Sequence, residues 1–181
     1  RLPTDHDRGD NTEGSARAVV VELGAEETAQ LLREVPEVYR TQINDALLTA
    51  LAQALAPWIG SHDVLITLEG HGREDLFDGV DVTRTVGWFT AVFPVVLRLD
   101  ERAGPGRALT SIKEQLRAIP NRGLGYGVLR YLCEGEAIAE RLALARAPEV
   151  SFNYLGQFDR TLPSSSPLRF APESAGPSYS P

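Results

Sequence analysis

Between residues 43 and 69 the chain sets a helix-period apolar stripe directly before an almost uninterrupted apolar run. Ile43, Leu47, Leu51 and Leu55 recur every four residues, with Ala46, Ala50 and Ala54 beside them. That spacing lines one face of a helix. Thr41 is placed to cap its start and Pro57 to mark its end. A face so rich in alanine suits close packing on a sheet. The run at 63–69, DVLITLE, then predicts a strand covered on both faces.

Other segments alternate in the same way. Residues 18–23 (AVVVEL) read as a strand. Residues 25–34 read as a short helix with acidic residues in its first turn, ending before Pro36. A strand is expected at 91–99, where Pro94 implies an edge, a bulge or a late start. Leu109, Ile112, Leu116 and Ile119 mark a helix stopped by Pro120, followed by a glycine-rich loop at 121–127. One or two helices are expected at 128–145, broken near Gly135, and a last strand at 149–155. Strands alternating with helices predict an α/β layered domain. Residues 1–16 read as an arm or linker, 17–159 as the structured body, and the Ser- and Pro-rich 160–181 as an irregular tail.

Composition narrows the function classes. The net charge of -7, from 18 basic and 25 acidic residues, argues against binding nucleic acid or an anionic membrane. No apolar run approaches the roughly 20 residues that span a bilayer. A single cysteine excludes a disulfide framework and a cysteine-built zinc site. The opening RLPTDHDRGD lacks an apolar signal core, so the expected location is the cytoplasm. Met is absent throughout, which implies a piece cut from something larger.

Few residues offer chemistry. His6 and Asp10 have a His-x-x-x-Asp spacing, but in a polar stretch with no element to hold the imidazole. The three histidines show no metal-ligand spacing. Gly123, Gly125 and Gly127 lack the Lys-Ser/Thr of a phosphate loop. Glu69 is the informative residue. It ends the apolar strand and runs into Gly70-His71-Gly72-Arg73, where an α/β fold commonly presents a site. Strand alternation sets Leu65, Thr67 and Glu69 on one face, Ile66 and Leu68 on the other. Two readings stand: a carboxylate for proton transfer, or a structural ion pair between Glu69 and Arg73.

Several ordered segments carry a family resemblance. They are 68–74 (LEGHGRE), 84–90 (RTVGWFT) with Phe93-Pro94-Val95, 120–132 (PNRGLGYGVLRYL) and 151–159 (SFNYLGQFD). With LPTDHDRG and YRTQINDALLTAL, they closely resemble epimerisation domains of nonribosomal peptide synthetases. The related condensation domains usually lack the Glu-Gly-His-Gly-Arg run.

The resemblance implies a mixed sheet flanked by helices, one of two lobes similar to chloramphenicol acetyltransferase, with the active site in a channel between them. The chain is similar to the C-terminal lobe only. The family's His-His-x-x-x-Asp motif belongs to the N-terminal lobe and has no match here, so the isolated fragment is expected to be inactive. The implied substrate is an L-aminoacyl or peptidyl thioester on the phosphopantetheine arm of a peptidyl carrier protein. Neighbouring synthetase modules and the N-terminal lobe are the other implied partners; no metal or free cofactor is implied. Glu69 and Tyr154 fall at catalytic positions, and Arg73, Asn153, His71 and Trp88 at substrate-positioning ones. Alternation along 149–155 objects to one pair, since it sets Asn153 and Tyr154 on opposite faces. Peptide-bond formation and noncatalytic carrier docking are the alternative functions.

Overall fold

The computed structural model describes residues 1–6, 8–9, 12–75, 77–133, 136–156 and 165–167. The apolar run forms the central strand β1 (Asp63–Gly70) of a three-stranded mixed sheet. β2 (Ala91–Arg98) pairs antiparallel to it, from Asp63 opposite Arg98 to Gly70 opposite Ala91. β3 (Ser151–Phe152) pairs parallel on the other side, with Thr67 opposite Ser151 and Leu68 opposite Phe152. Among the described residues β2 is therefore an edge, which is where Pro94, lacking an N–H, is tolerated.

Alternation along β1 buries Val64, Ile66 and Leu68, while Leu65 and Thr67 are only half-buried. The expected cover on both faces is thus complete on one. The fully enclosed Ile66 packs in a cluster with Leu48, Ala52, Ala56, Phe93, Leu97 and Ile112. Ile66→Ala is expected to destabilise the fold by about 2–5 kcal/mol, read as a fall in the denaturant midpoint without a change in slope.

Helical segments precede and follow the strands in short runs. α1 (Ala25–Ala29) widens into a π turn at Gln30–Glu34 and continues as α2 (Val35–Tyr39). Pro36 lies within this continuous path, near the start of α2; it lacks one helical N–H, yet the path runs past the expected stop. Arg40, in the left-handed region at φ 51°, ends it.

α3 (Ile43–Ile59) is the helix with the apolar stripe. Its buried face is Leu48, Ala52 and Ala56, with Leu51 and Leu55 packed at its margin. The stripe is rotated from the leucine row because the alanines allow the backbone closest to the sheet. Pro57 lies inside the helix, where it leaves the Gln53 carbonyl without its helical N–H, and the helix ends three residues on at Gly60 with φ 64°. The start is capped by Asp45, whose Oδ2 accepts the Gln42 N–H at 2.7 Å, and not by Thr41.

α4 (Pro105–Arg117) buries Ala108, Leu109 and Ile112, as its stripe predicts. A 3₁₀ turn (Pro120–Gly123), α5 (Gly125–Gly127) and a π turn (Val128–Leu132) follow. α6 (Glu136–Leu144) begins after the extended Cys133, and Arg130 donates to the Leu142 carbonyl at 2.6 Å to tie the two stretches together.

Two expectations fail locally. Residues 18–23 form no strand: Val19, Val20 and Val21 are exposed, without a ladder partner among the described residues. The strand at 149–155 shortens to two paired residues, with Val150 adding only a carbonyl to Thr67 N–H. Most of the expected tail lies outside the described residues.

Candidate active site

β1 delivers Glu69 to the end of the sheet, beside a cavity of about 500 Å³. Its lining includes Gly70, His71 and Glu74 from the following turn, Tyr154 after β3, Arg122 from the 3₁₀ turn, and Asn44 and Asp45 from the start of α3. Glu69 Oε2 accepts a hydrogen bond from Asn153 Nδ2 at 2.8 Å. The site therefore brings Glu69, Asn153 and Tyr154 together. Of the two residues that follow the end of β3 at Phe152, Tyr154 lines the cavity and Asn153 does not, as alternation expects, but Asn153 reaches Glu69 from beside it.

His71 is oriented from both nitrogens. Nδ1 accepts the Arg73 backbone N–H at 3.0 Å, and Nε2 lies 3.3 Å from Glu74 Oε1. This pattern leaves Nδ1 as the acceptor and turns Nε2 toward the carboxylate. Glu74 Oε2 also meets Arg122 Nε at 3.4 Å. Glu74 and Arg122 stand inside the quoted family segments, yet their spacing in sequence gave no sign that they meet. Asn121 and Arg122 adopt φ of 46° and 49°, a conformation that costs non-glycine residues energy and clusters at functional sites.

Arg73 serves the adjoining loop. Its guanidinium donates to the Val82 carbonyl and, at 2.8 Å, to the Thr85 carbonyl, and it lies 4.0 Å from the Phe89 ring centroid. The considered Glu69–Arg73 ion pair is not the arrangement found: Glu69 takes its hydrogen bond from Asn153, while Arg73 clamps residues 82–89. The same loop is tightened by Asp81, held below the ordinary carboxylate range by the Thr83 hydroxyl and then the Thr83 N–H. Trp88 does not line the cavity; it is 92% exposed. No group of metal-ligating side chains occurs among the described residues.

Residues 1–178 match the Condensation domain family, and the chain belongs to that family. It is 54% identical over 157 residues to one component of the linear gramicidin synthase of Brevibacillus parabrevis, covering 87% of the chain and 3% of that protein. A second component of the same synthase is 50% identical over 181 residues, covering 99% and 4%. Chondramide synthase cmdD of Chondromyces crocatus is 50% identical over 184 residues, also covering 99% and 4%. The chain thus spans a small part of these relatives.

Among solved structures, the epimerization domain from the third module of tyrocidine synthetase B is similar at 44% identity and a TM-score of 0.78. The match covers 87% of this chain and 35% of that one. The first condensation domain of the CDA synthetase matches at 18% identity and a TM-score of 0.50, over 71% and 28%, a likeness of fold alone. The mixed sheet with its helices is accordingly a lobe of the chloramphenicol acetyltransferase-like kind.

Proposed function

We propose that the chain is the C-terminal lobe of an epimerisation domain in a nonribosomal peptide synthetase. Its reaction converts an L-aminoacyl or peptidyl thioester on a carrier protein to the D form. The observation that carries this reading is a carboxylate, Glu69, held by an amide at the edge of a cavity that Tyr154 also lines. The similarity to a solved epimerization domain supports it. A volume of about 500 Å³ suits an amino-acid side chain and the end of a pantetheine arm.

Epimerisation takes the α-proton onto a base, leaves the electron pair on the thioester carbonyl oxygen as an enolate, and returns a proton to the opposite face. In this reading Glu69 serves one face as an acid/base group. The N-terminal lobe's histidine serves the other. Tyr154 donates its O–H toward the enolate oxygen, where charge develops. His71 and Arg122, both engaged by Glu74, shape the wall. Arg73 positions the 82–89 loop and Trp88 with it, for contact beyond this lobe. Asn153 positions Glu69: Asn153→Leu is expected to lower kcat about 10- to 100-fold, the worth of one hydrogen bond to a charged group, with KM nearly unchanged.

The test joins residues 1–181 to the N-terminal lobe and supplies an L-aminoacyl carrier protein in deuterated water. Mass spectrometry then follows α-deuterium, and chiral analysis follows the released residue. Exchange with inversion upholds the reading. Transfer to an added aminoacyl acceptor without exchange reassigns the domain to condensation, and carrier binding without either reaction leaves a docking lobe.

A further inference from the structure

The cavity beside Glu69 has a wall made by the first turn of α3, and one residue there has no task within the fold. Asp45 is occupied as the helix cap, and Gln42 gives its N–H to that cap. Asn44 lines the cavity, yet its Oδ1 is closed off from solvent and has no hydrogen-bond partner among the described residues. Folded proteins rarely leave a buried acceptor so, because removing it from water without a donor is costly. The terminal torsion of asparagine is broad and two-fold. A turn of the carboxamide about that torsion, with the helix in place, would bring Oδ1 toward the cavity that Asn44 lines.

What the oxygen lacks is a donor. We propose that Asn44 is a substrate-positioning residue that accepts a hydrogen bond from the α-nitrogen of the acyl group, an ammonium or an amide N–H. The inference rests on the epimerisation reading and deepens it by assigning the group that the site recognises. The α-nitrogen is bonded to the carbon whose proton is exchanged. A grip on it from α3, in the cavity that Glu69 also lines, fixes rotation of that carbon and aims its C–H bond. It also makes the site select acyl groups that carry an α N–H, since a buried acceptor rejects a ligand that leaves it unpaired.

The experiment measures binding by calorimetry on the two-lobed domain. Its probes are an L-aminoacyl-pantetheine with an amide in place of the thioester, and its counterpart with methyl replacing the α-nitrogen. The wild type is expected to prefer the amino probe by about tenfold or more. Asn44→Leu should remove that preference while binding the methyl probe as well as before. Asn44→Asp, which keeps an acceptor, should retain it; Asn44→Ala replaces leucine if that variant does not fold. A preference that survives Asn44→Leu and Asn44→Ala, an equal loss for both probes, or no preference in the wild type overturns the proposal. Deuterium exchange by the wild type judges the parent reading separately. A domain that binds with the preference but exchanges no α-proton keeps the Asn44 contact and loses epimerisation.

Discussion

Glu69→Gln is expected to lower α-deuterium incorporation by roughly 10²–10⁴-fold, the usual contribution of a positioned acid/base group. The substitution is a narrow one. Glutamine is nearly isosteric, and its side-chain oxygen can still accept the Asn153 amide that now meets Glu69 Oε2 at 2.8 Å. What disappears is the capacity to take and return a proton. Thermal stability should therefore stay close to that of the wild type, because the carboxylate lies at the exposed end of β1. Carrier affinity should stay close too, so the loss falls in kcat. Single-turnover exchange, followed by mass spectrometry, separates this from slow product release. Near-wild-type exchange in the variant would remove Glu69 from the chemistry and return it to a structural role.

The second large effect is expected at Gly72, where geometry leaves no room for a side chain. Its φ is 67°, and a Cβ there would lie 1.6 Å from the Phe89 carbonyl oxygen and 2.7 Å from its carbonyl carbon. Those atoms are backbone, so no rotamer change relieves the overlap. Gly72→Ala therefore combines about 1–2 kcal/mol for the left-handed conformation with about 1–3 kcal/mol for overpacking. A fall in Tm of roughly 5–15 °C is expected. Gly79 is the control: its φ is 80°, but nothing lies within 4 Å of a Cβ there. Gly79→Ala should show the conformational cost alone. Equal melting of the two variants would refute the close approach of Gly72 to Phe89. Gly72→Ala should also slow exchange beyond what unfolding explains, since it pushes apart the turn that bears His71 and the loop that Arg73 holds.

How much of this could be read in the residues depends on the range of the interaction. β1, with Glu69 at its end, follows from a local apolar run and a period of two. The helix α4 follows from its stripe, and the edge position of β2 is one of the three arrangements that Pro94 leaves open. Failures begin where a neighbour decides. Leu48, Ala52 and Ala56 hold the buried face of α3, with Leu51 and Leu55 at its margin, because the sheet lies on the side where Ala52 and Ala56 let the backbone approach. The valines at 19–21 have strong strand character, yet a strand exists only with a partner. Arg73 is the clearest case at the site. Its partners, Val82 and Thr85, lie nine and twelve residues onward, across a loop that no periodicity describes. At Asn153 and Tyr154 alternation separates the residue that lines the cavity from the one that does not, but it carries no sign of the hydrogen bond from Asn153 to Glu69, 84 residues away.

The Arg73 clamp carries a consequence for building hybrid synthetases. The turn at 70–74 and the loop at 82–89 recognise each other through two backbone carbonyls, an aromatic ring and a glycine seated against Phe89. They behave as one inheritable unit. A crossover placed between them joins an arginine from one parent to a loop shaped by another, and the mismatch falls beside Glu69. Junctions set before Asp63 and after Arg98 keep the unit with its two strands and leave the clamp whole.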